Sequence, residues 1–339
     1  MLRKFGIIVT VLFAAGAAIV TWPDFFRLEF TFPMAQVMSF RALITLGFGA
    51  LLLIFLLLAL ARPLRAFALS LVLVTAVALV ANIAIIVTRG TGVQTLPAKT
   101  ATSVRVMTWN TAGAATDADT IAQTAVAMGA DIVALPETTI DTGESVAVAM
   151  RELGQPMWAY HTEYGTDGWA ADSTTLLISP DLGTYSVIAS SEDGSSNTST
   201  VPSVVAMPVT GDGPIVVAAH AVAPREASMD DWRHDLQWLA DQCASDSVIM
   251  AGDFNATIDH MTRLGVDGGT LGRCSDAAVR TGNGSVGTWP TRLPALVGAP
   301  IDHVLASADW TPTGSVVLTS FDDAGSDHRP LVVQLDHAG

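Results

Sequence analysis

Three apolar runs without a single charged residue, 5–22, 42–61 and 66–87, fill the first quarter of this 339-residue chain. Each is close to the ~20 residues that carry a helix across ~30 Å of hydrocarbon, where a helix satisfies its own backbone hydrogen bonds. Residues 1–88 are therefore expected to form a membrane anchor of three transmembrane helices. The other reading of the first run is a cleaved signal peptide, with Arg3-Lys4 ahead of it and a cleavage site in Ala-Ala-Gly-Ala-Ala (14–18). Either way the rest of the chain is exported. Arg3 and Lys4, with Arg62 and Arg65 in the second loop, favour a cytoplasmic N-terminus, while Arg27 and Arg41 in the first loop oppose it. Three spans then leave everything after about residue 88 outside a cell membrane crossed several times.

Charge divides the chain at the same place. The first 88 residues hold six basic and two acidic side chains; the remainder holds eleven basic and thirty acidic, a net −19. A domain so acidic repels the phosphate backbone of nucleic acid, whose non-specific binding is mostly counterion release by Lys and Arg. No run of Lys or Arg interleaved with aromatics follows such a backbone either, so nucleic acid is an unfavoured partner. Nothing in the sequence points to a protein partner.

Residues 89–103 are small and polar without an apolar period, the composition of a flexible tether. A single globular domain is expected over 104–336. Within it, Asp117–Met128 reads as a helix closed by Gly129, and Glu144–Leu153 and Met229–Cys243 as two more. Segments 190–200 and 282–285 read as surface loops. Cys243 and Cys274 are the only cysteines; on the outer side of a membrane they are either a disulfide or two buried thiols, and without Cys-x-x-Cys spacing they are no metal site.

Six short polar signatures stand at the ends of apolar runs: Val-Met-Thr-Trp-Asn (106–110), Asp-Ile-Val-Ala-Leu-Pro-Glu (131–137), Val-Val-Ala-Ala-His (216–220), Ala-Gly-Asp-Phe-Asn (251–255), Ile-Asp-His (301–303) and Gly-Ser-Asp-His-Arg-Pro (325–330). They offer carboxylates, carboxamides and imidazoles, and no serine triad or glycine-rich phosphate loop. That inventory suits a hard divalent cation and water activated to attack phosphorus. Asn110, Glu137, His220 and Asp253 end their runs, whereas Asp302 and His328 begin theirs. Convergence on one edge requires the last two strands to run against the others, so a mixed sheet is expected.

In wording and order these segments resemble the endonuclease/exonuclease/phosphatase superfamily of metal-dependent phosphoesterases, over roughly residues 103–336. With the apolar helices, the chain looks like an actinobacterial membrane-anchored branch associated with teicoplanin resistance. The resemblance implies a four-layer α/β sandwich with two mixed β-sheets, preceded here by three transmembrane helices. It implies Mg²⁺, with Mn²⁺ a possible substitute, held by Asn110, Glu137 and Asp327. Asp253 is then the base that activates water, and Asn255 orients that water or the phosphate. Asp302 and His328 form a carboxylate–imidazole pair that stabilises the pentacovalent phosphorus, and His220 is the general acid. His303 points to the opposite strand face by alternation and reads as structural. Arg225 and Trp289 are weaker candidates for substrate contact.

The combined expectation is a membrane-tethered, extracytoplasmic phosphohydrolase acting on a phosphate ester or pyrophosphate, with a lipid such as a prenyl pyrophosphate the natural substrate. The competing readings are an anchored nuclease acting on extracellular DNA, and a catalytically inactive sensor or binding protein.

Overall fold

The computed structural model describes residues 2–93, 95–165, 169–188, 196–245 and 247–338. The apolar runs become α1 (Leu2–Thr21), α3 (Arg41–Leu58) and α4 (Arg65–Arg89), with a short α2 (Met34–Ser39) ahead of α3. The segments Lys4–Thr21, Arg41–Leu58 and Arg65–Arg89 are long and apolar enough to cross a membrane, with mean hydropathies of 2.0, 2.4 and 2.7. Their outward side chains, among them Leu12, Leu46, Leu53 and Leu73, are more than half exposed, a continuous apolar surface that water would not support.

Two six-stranded mixed sheets follow. The first is ordered β11 (Trp310–Val317), β12 (Leu331–His337), β1 (Ser103–Thr108), β2 (Ile132–Pro136), β4 (Ser173–Ile178) and β3 (Trp158–Glu163). The second is ordered β5 (Tyr185–Val187), β6 (Val204–Pro208), β7 (Ile215–His220), β8 (Val248–Asp253), β10 (Asp302–Ala306) and β9 (Ser275–Asp276). Among the described strands, only β1/β2 and β7/β8 pair in parallel. β12 runs against β1, and β10 against β8, the reversal that the motif positions require.

Alternation along the strands builds the layers. Val106, Ile132, Ala134, Leu176, Val216, Ile249 and Val304 meet between the sheets. Their neighbours Met107, Val133, Leu135 and Leu177 turn outward against α5 (Ala118–Met128) and α6 (Ile140–Glu152). On the other side Val217, Met250 and Leu305 turn toward α7 (Met229–Gln242) and α8 (Ile258–Met261). The result is a four-layer α/β sandwich. Asp117 caps α5 by accepting from the Thr120 N–H, and Gly129 closes it at φ 63°, where the left-handed region favours glycine. α6 begins earlier than periodicity predicts because Thr139 caps it. Cys243 and Cys274 are bonded, Cα atoms 5.6 Å apart, joining the end of α7 to the loop before β9. Segment 190–200 lies in part outside the described residues; at its described end Asn197 and Thr198 are buried and not at the surface as expected.

The link after the anchor departs from the flexible tether that its composition suggests. The Gly92 N–H donates to the Gly282 carbonyl (3.0 Å), the Gly284 and Ser285 N–H groups donate to the Arg89 and Gly90 carbonyls (2.9 and 3.0 Å), and the Val93 N–H donates to Asn283 Oδ1 (3.0 Å). Further on, Arg105 and Gln334 donate to the Pro97 and Ala98 carbonyls. Small polar residues leave the backbone free to bond, and the loop 282–285 takes up those bonds.

Residues 22–41 are docked as well. Phe30 packs on Trp232 with centroids 5.7 Å apart, and Arg233 donates to the Phe30 carbonyl. Gln36 donates to the Pro224 carbonyl. Nε2 of His260 bonds the Ala35 carbonyl (3.0 Å) while its Nδ1 accepts from the Thr257 N–H (2.8 Å). At the centre, the buried carboxylate of Asp259 receives bidentate pairs from both Arg41 (2.7 and 3.0 Å) and Arg89 (2.6 and 2.8 Å). Arg41 also donates to the Thr21 carbonyl and to Asn82 Oδ1. One carboxylate thus ties the ends of all three long helices to α8.

Candidate active site

The site lies along one common edge of both sheets. Strand register sets Asp253 directly beside His220 and Asp302, and sheet twist brings these to face the ends of β1 and β2, which carry Asn110 and Glu137. Gly252 permits the close fit of β7 on β8: a Cβ there would stand 1.9 Å from the Ala219 carbonyl oxygen. Gly325 does the same before His328, where a Cβ would meet the Ala115 carbonyl oxygen at 1.8 Å.

Asn110 is nearly fully buried, and its carboxamide joins the two halves. Its Nδ2 donates to Glu137 Oε1 (3.0 Å) and to Asp253 Oδ2 (3.1 Å), while its Oδ1 accepts from the Ala112 N–H (3.0 Å). Asn255 donates its backbone N–H to Asp253 Oδ1 (2.8 Å) and its Nδ2 to the Ala221 carbonyl (2.9 Å). Glu137 and Asn255 hold φ of 55° and 46°. A left-handed backbone at a residue other than glycine costs of order 1–3 kcal/mol, and here it aims both side chains at the site.

His328 Nδ1 bonds Asp302 Oδ2 at 2.8 Å, and its Nε2 faces Asp253 Oδ2 at 3.8 Å. Burial pushes this imidazole down, but the carboxylates of Asp302 and Asp253 outweigh it and raise the pKa to about 10, so the ring carries its charge at neutral pH. Asp253 moves the opposite way to an ordinary carboxylate: burial and the charge of Asp302 raise it, against the pull of His328. His220 is buried, with Nε2 3.9 Å from Glu137 Oε1, and burial, then the neighbouring His328 charge, lower it to about 3. It is neutral through the physiological range, with one ring nitrogen still able to donate a hydrogen bond.

Ligand atoms of Asp253, Asp302 and His328 lie within 4.8 Å of one another, a group able to hold a divalent cation. The wider donor set fits a hard cation too: Glu137 and Asp327 are carboxylates at the rim, 30% and 57% exposed, and Asn110 Oδ1 is a neutral oxygen. Among the described residues, Asp302 Oδ1 and His220 Nδ1 are buried without a hydrogen-bond partner, as expected of atoms that a cation, water or substrate completes. The charged His328 is the poorest ligand of the group, because a coordinating imidazole must be neutral. Asp327 accepts from Trp289 Nε1 (2.8 Å), its other oxygen 3.9 Å from His328 Nε2.

Every site residue predicted from sequence gathers on this edge. His303 bonds Asp276 (2.6 Å) and the Ala256 carbonyl (2.9 Å) on the far face of β10, the structural role expected. Arg225 is exposed. Arg329, in the last of the six signatures, carries no role legible from sequence but holds the loop beside the site. Fully buried, it pairs with Asp322 (2.6 and 2.7 Å) and donates to the carbonyls of Gly287, Pro290, Thr291 and Leu293. That web fixes the loop carrying Trp289, while Thr288 Oγ1 in the same loop accepts from the Ile301 and Asp302 N–H groups.

A family model described as the endonuclease/exonuclease/phosphatase family matches residues 107–328. Among solved structures, an endonuclease/exonuclease/phosphatase from Beutenbergia cavernae is 20% identical, with a TM-score of 0.54 over 70% of this chain and 72% of its own. D. rerio TDP2, humanized by 14 mutations, is 16% identical at a TM-score of 0.53 over 70% of this chain and 100% of its own. A family protein from Leptotrichia buccalis is 13% identical at 0.53, covering 69% and 99%. No curated protein matches the chain. At these identities the structures share the fold; the family rests on the matched model.

Proposed function

This chain belongs to the endonuclease/exonuclease/phosphatase family, and from that premise we propose that it is a membrane-tethered, extracytoplasmic, Mg²⁺-dependent hydrolase of a lipid phosphate or pyrophosphate. The observation that carries the hydrolytic reading is the Asn110 carboxamide bridging Glu137 and Asp253, opposite a charged His328. Glu137, Asn110 and Asp327 would hold the cation, with Asp253 and Asp302 close enough to share it; Mn²⁺ fits the same oxygens. When bound, the cation supplies charge neutralisation on the phosphoryl oxygens.

The remaining work falls to the chain's own groups. Asp253, whose affinity for a proton is raised by burial, accepts one from the attacking water. The Asn255 backbone N–H and the Asn110 carboxamide fix the orientation of that carboxylate. The His328 imidazolium, its ring locked by Asp302, stabilises charge on the pentacovalent phosphorus and hands the Nε2 proton to the leaving oxygen. Neutral His220 offers a hydrogen bond to a phosphoryl oxygen. The lipid reading is supported by the net −19 of the exported portion and by the docking of the catalytic domain on the anchor, which keeps the site near a membrane substrate.

The test is a hydrolysis panel with the full chain in liposomes containing Mg²⁺, comparing lipid pyrophosphates, sphingomyelin, nucleotides and duplex DNA. Phosphate release from a lipid, with DNA cleaved much more slowly at low and physiological salt, is expected. Faster cleavage of DNA than of every lipid at both salts would establish the nuclease reading instead.

A further inference from the structure

The anchor reaches the reacting centre through two aromatic rings. Phe40, at the start of α3, packs on Trp289 with centroids 6.0 Å apart, and Trp289 packs on His328 at 6.5 Å. Both rings are half-buried, so part of each remains accessible. Steps of three residues, neighbours on a helix surface, lead from Phe40 to Leu43 and on to Leu46, and both are exposed, 44% and 61%. An apolar stripe therefore runs from the lipid-facing wall of α3 across Phe40 and Trp289 to the catalytic imidazole. Two devices hold it in register. Arg329 fixes the Trp289 loop from below, and the Asp259 carboxylate fixes Arg41, next to Phe40.

We propose that Phe40 and Trp289 bind the hydrocarbon chain of a single-chain lipid phosphate, guiding it from the bilayer to His328, and so set the specificity of the site for long chains. The occupant follows from the stripe itself. Its members Leu46, Leu43, Phe40 and Trp289 are all uncharged, and they join the apolar wall of α3 at one end to the phosphorus site at the other. Trp289 has a second duty, since its indole N–H holds Asp327; the ring faces the chain while the nitrogen positions a carboxylate of the metal site.

This inference rests on the lipid-phosphate reading, and its test separates the two. The full-length protein in liposomes is assayed for phosphate release from farnesyl pyrophosphate and from dimethylallyl pyrophosphate, which differ only in chain length. The wild type should prefer the longer chain in kcat/KM by about tenfold or more, the discrimination that a few buried methylenes give. Phe40→Ala and Trp289→Ala should each lower that ratio about tenfold, mainly by raising KM for the farnesyl substrate. Phe40→Leu should restore most of it. Trp289→Phe, which keeps the ring and removes the donor to Asp327, should lower kcat on both substrates while keeping the preference. Equal losses on both substrates in Phe40→Ala, or an unchanged ratio, would overturn the inference while the lipid reading stood. A wild type that releases phosphate from neither substrate yet cleaves DNA would overturn both.

Discussion

Replacing Asp259 by asparagine tests whether the anchor and the catalytic domain are one folded unit. The carboxylate accepts four hydrogen bonds of 2.6–3.0 Å from Arg41 and Arg89, and its side chain is only 9% exposed. A carboxamide in its place would keep the shape but lose the charge and two acceptor sites, leaving two guanidinium groups without a counter-ion. Breaking a buried pair from one side costs about 3–5 kcal/mol. Arg41 keeps the Thr21 carbonyl and Asn82, and Arg89 is exposed enough to turn toward water (20%), so the lower end, about 3 kcal/mol, is expected. At roughly 2–4 °C per kcal/mol for a domain of this size, the melting temperature of the full chain in detergent should fall by about 6–12 °C. Turnover of a long-chain substrate should fall with it, because Arg41 adjoins Phe40. The pH sign is fixed by the same contacts: burial opposes ionisation, but Arg89 and Arg41 win and hold Asp259 below the usual carboxylate range. Its stabilisation is complete above the unfolded pKa of about 3.9 and lost only as pH falls through the lower folded value, so pH 5–8 should leave the clamp untouched. A shift in melting temperature under about 2 °C in Asp259→Asn would refute the clamp.

Glu137→Gln removes charge without changing shape; Mg²⁺-dependent turnover should be lost and Mg²⁺ affinity weakened by calorimetry, and wild-type rates at limiting metal would reject Glu137 as a ligand. Asp302→Asn should shift the alkaline limb of the kcat profile downward: wild-type His328 keeps its proton until about pH 10, and losing its carboxylate partner lowers that value by more than a unit. An unmoved limb would mean that the imidazolium is not the active form. For the Cys243–Cys274 bridge, non-reducing mass spectrometry should find a peptide pair two hydrogens lighter than the free thiols, and full alkylation of both cysteines without reductant would contradict it.

The mixed sheet was legible because period-2 alternation and motif position are local signals; the four-layer sandwich followed from the family resemblance. Ile132, Val133, Ala134 and Leu135 announce a strand buried on both faces, and the contrast between Asp253 ending a run and Asp302 beginning one demands antiparallel neighbours. The gathering of the six motif ends at one edge was legible from the same signals, because their positions at the ends and starts of strands allow one meeting place. What escaped were relationships without a local period. Asp259 meets Arg41 218 positions away, Phe40 meets Trp289, and Gly90, Gly92 and Val93 bond the loop at 282–285. The charge state of His220 was equally hidden, since it depends on burial and on His328, not on its own neighbours in sequence. β3 went unseen because its strand, Trp-Ala-Tyr-His-Thr-Glu, lies at a sheet edge where half-exposed polar residues blur alternation.

The central claim is that Asp253, oriented by Asn110 and Asn255 and facing His328, drives metal-dependent hydrolysis of a phosphoester. The most direct measurement is phosphate release from a lipid pyrophosphate by the full chain in liposomes, first stripped with EDTA and then given Mg²⁺, for the wild type and Asp253→Asn side by side. The stripped wild type should release none, and adding Mg²⁺ should restore release. For the variant, kcat should be lower by roughly 10²–10⁴ at nearly unchanged KM, as for a group that acts in the transition state. Turnover that survives EDTA, or an Asp253→Asn variant with wild-type kcat, would contradict the claim.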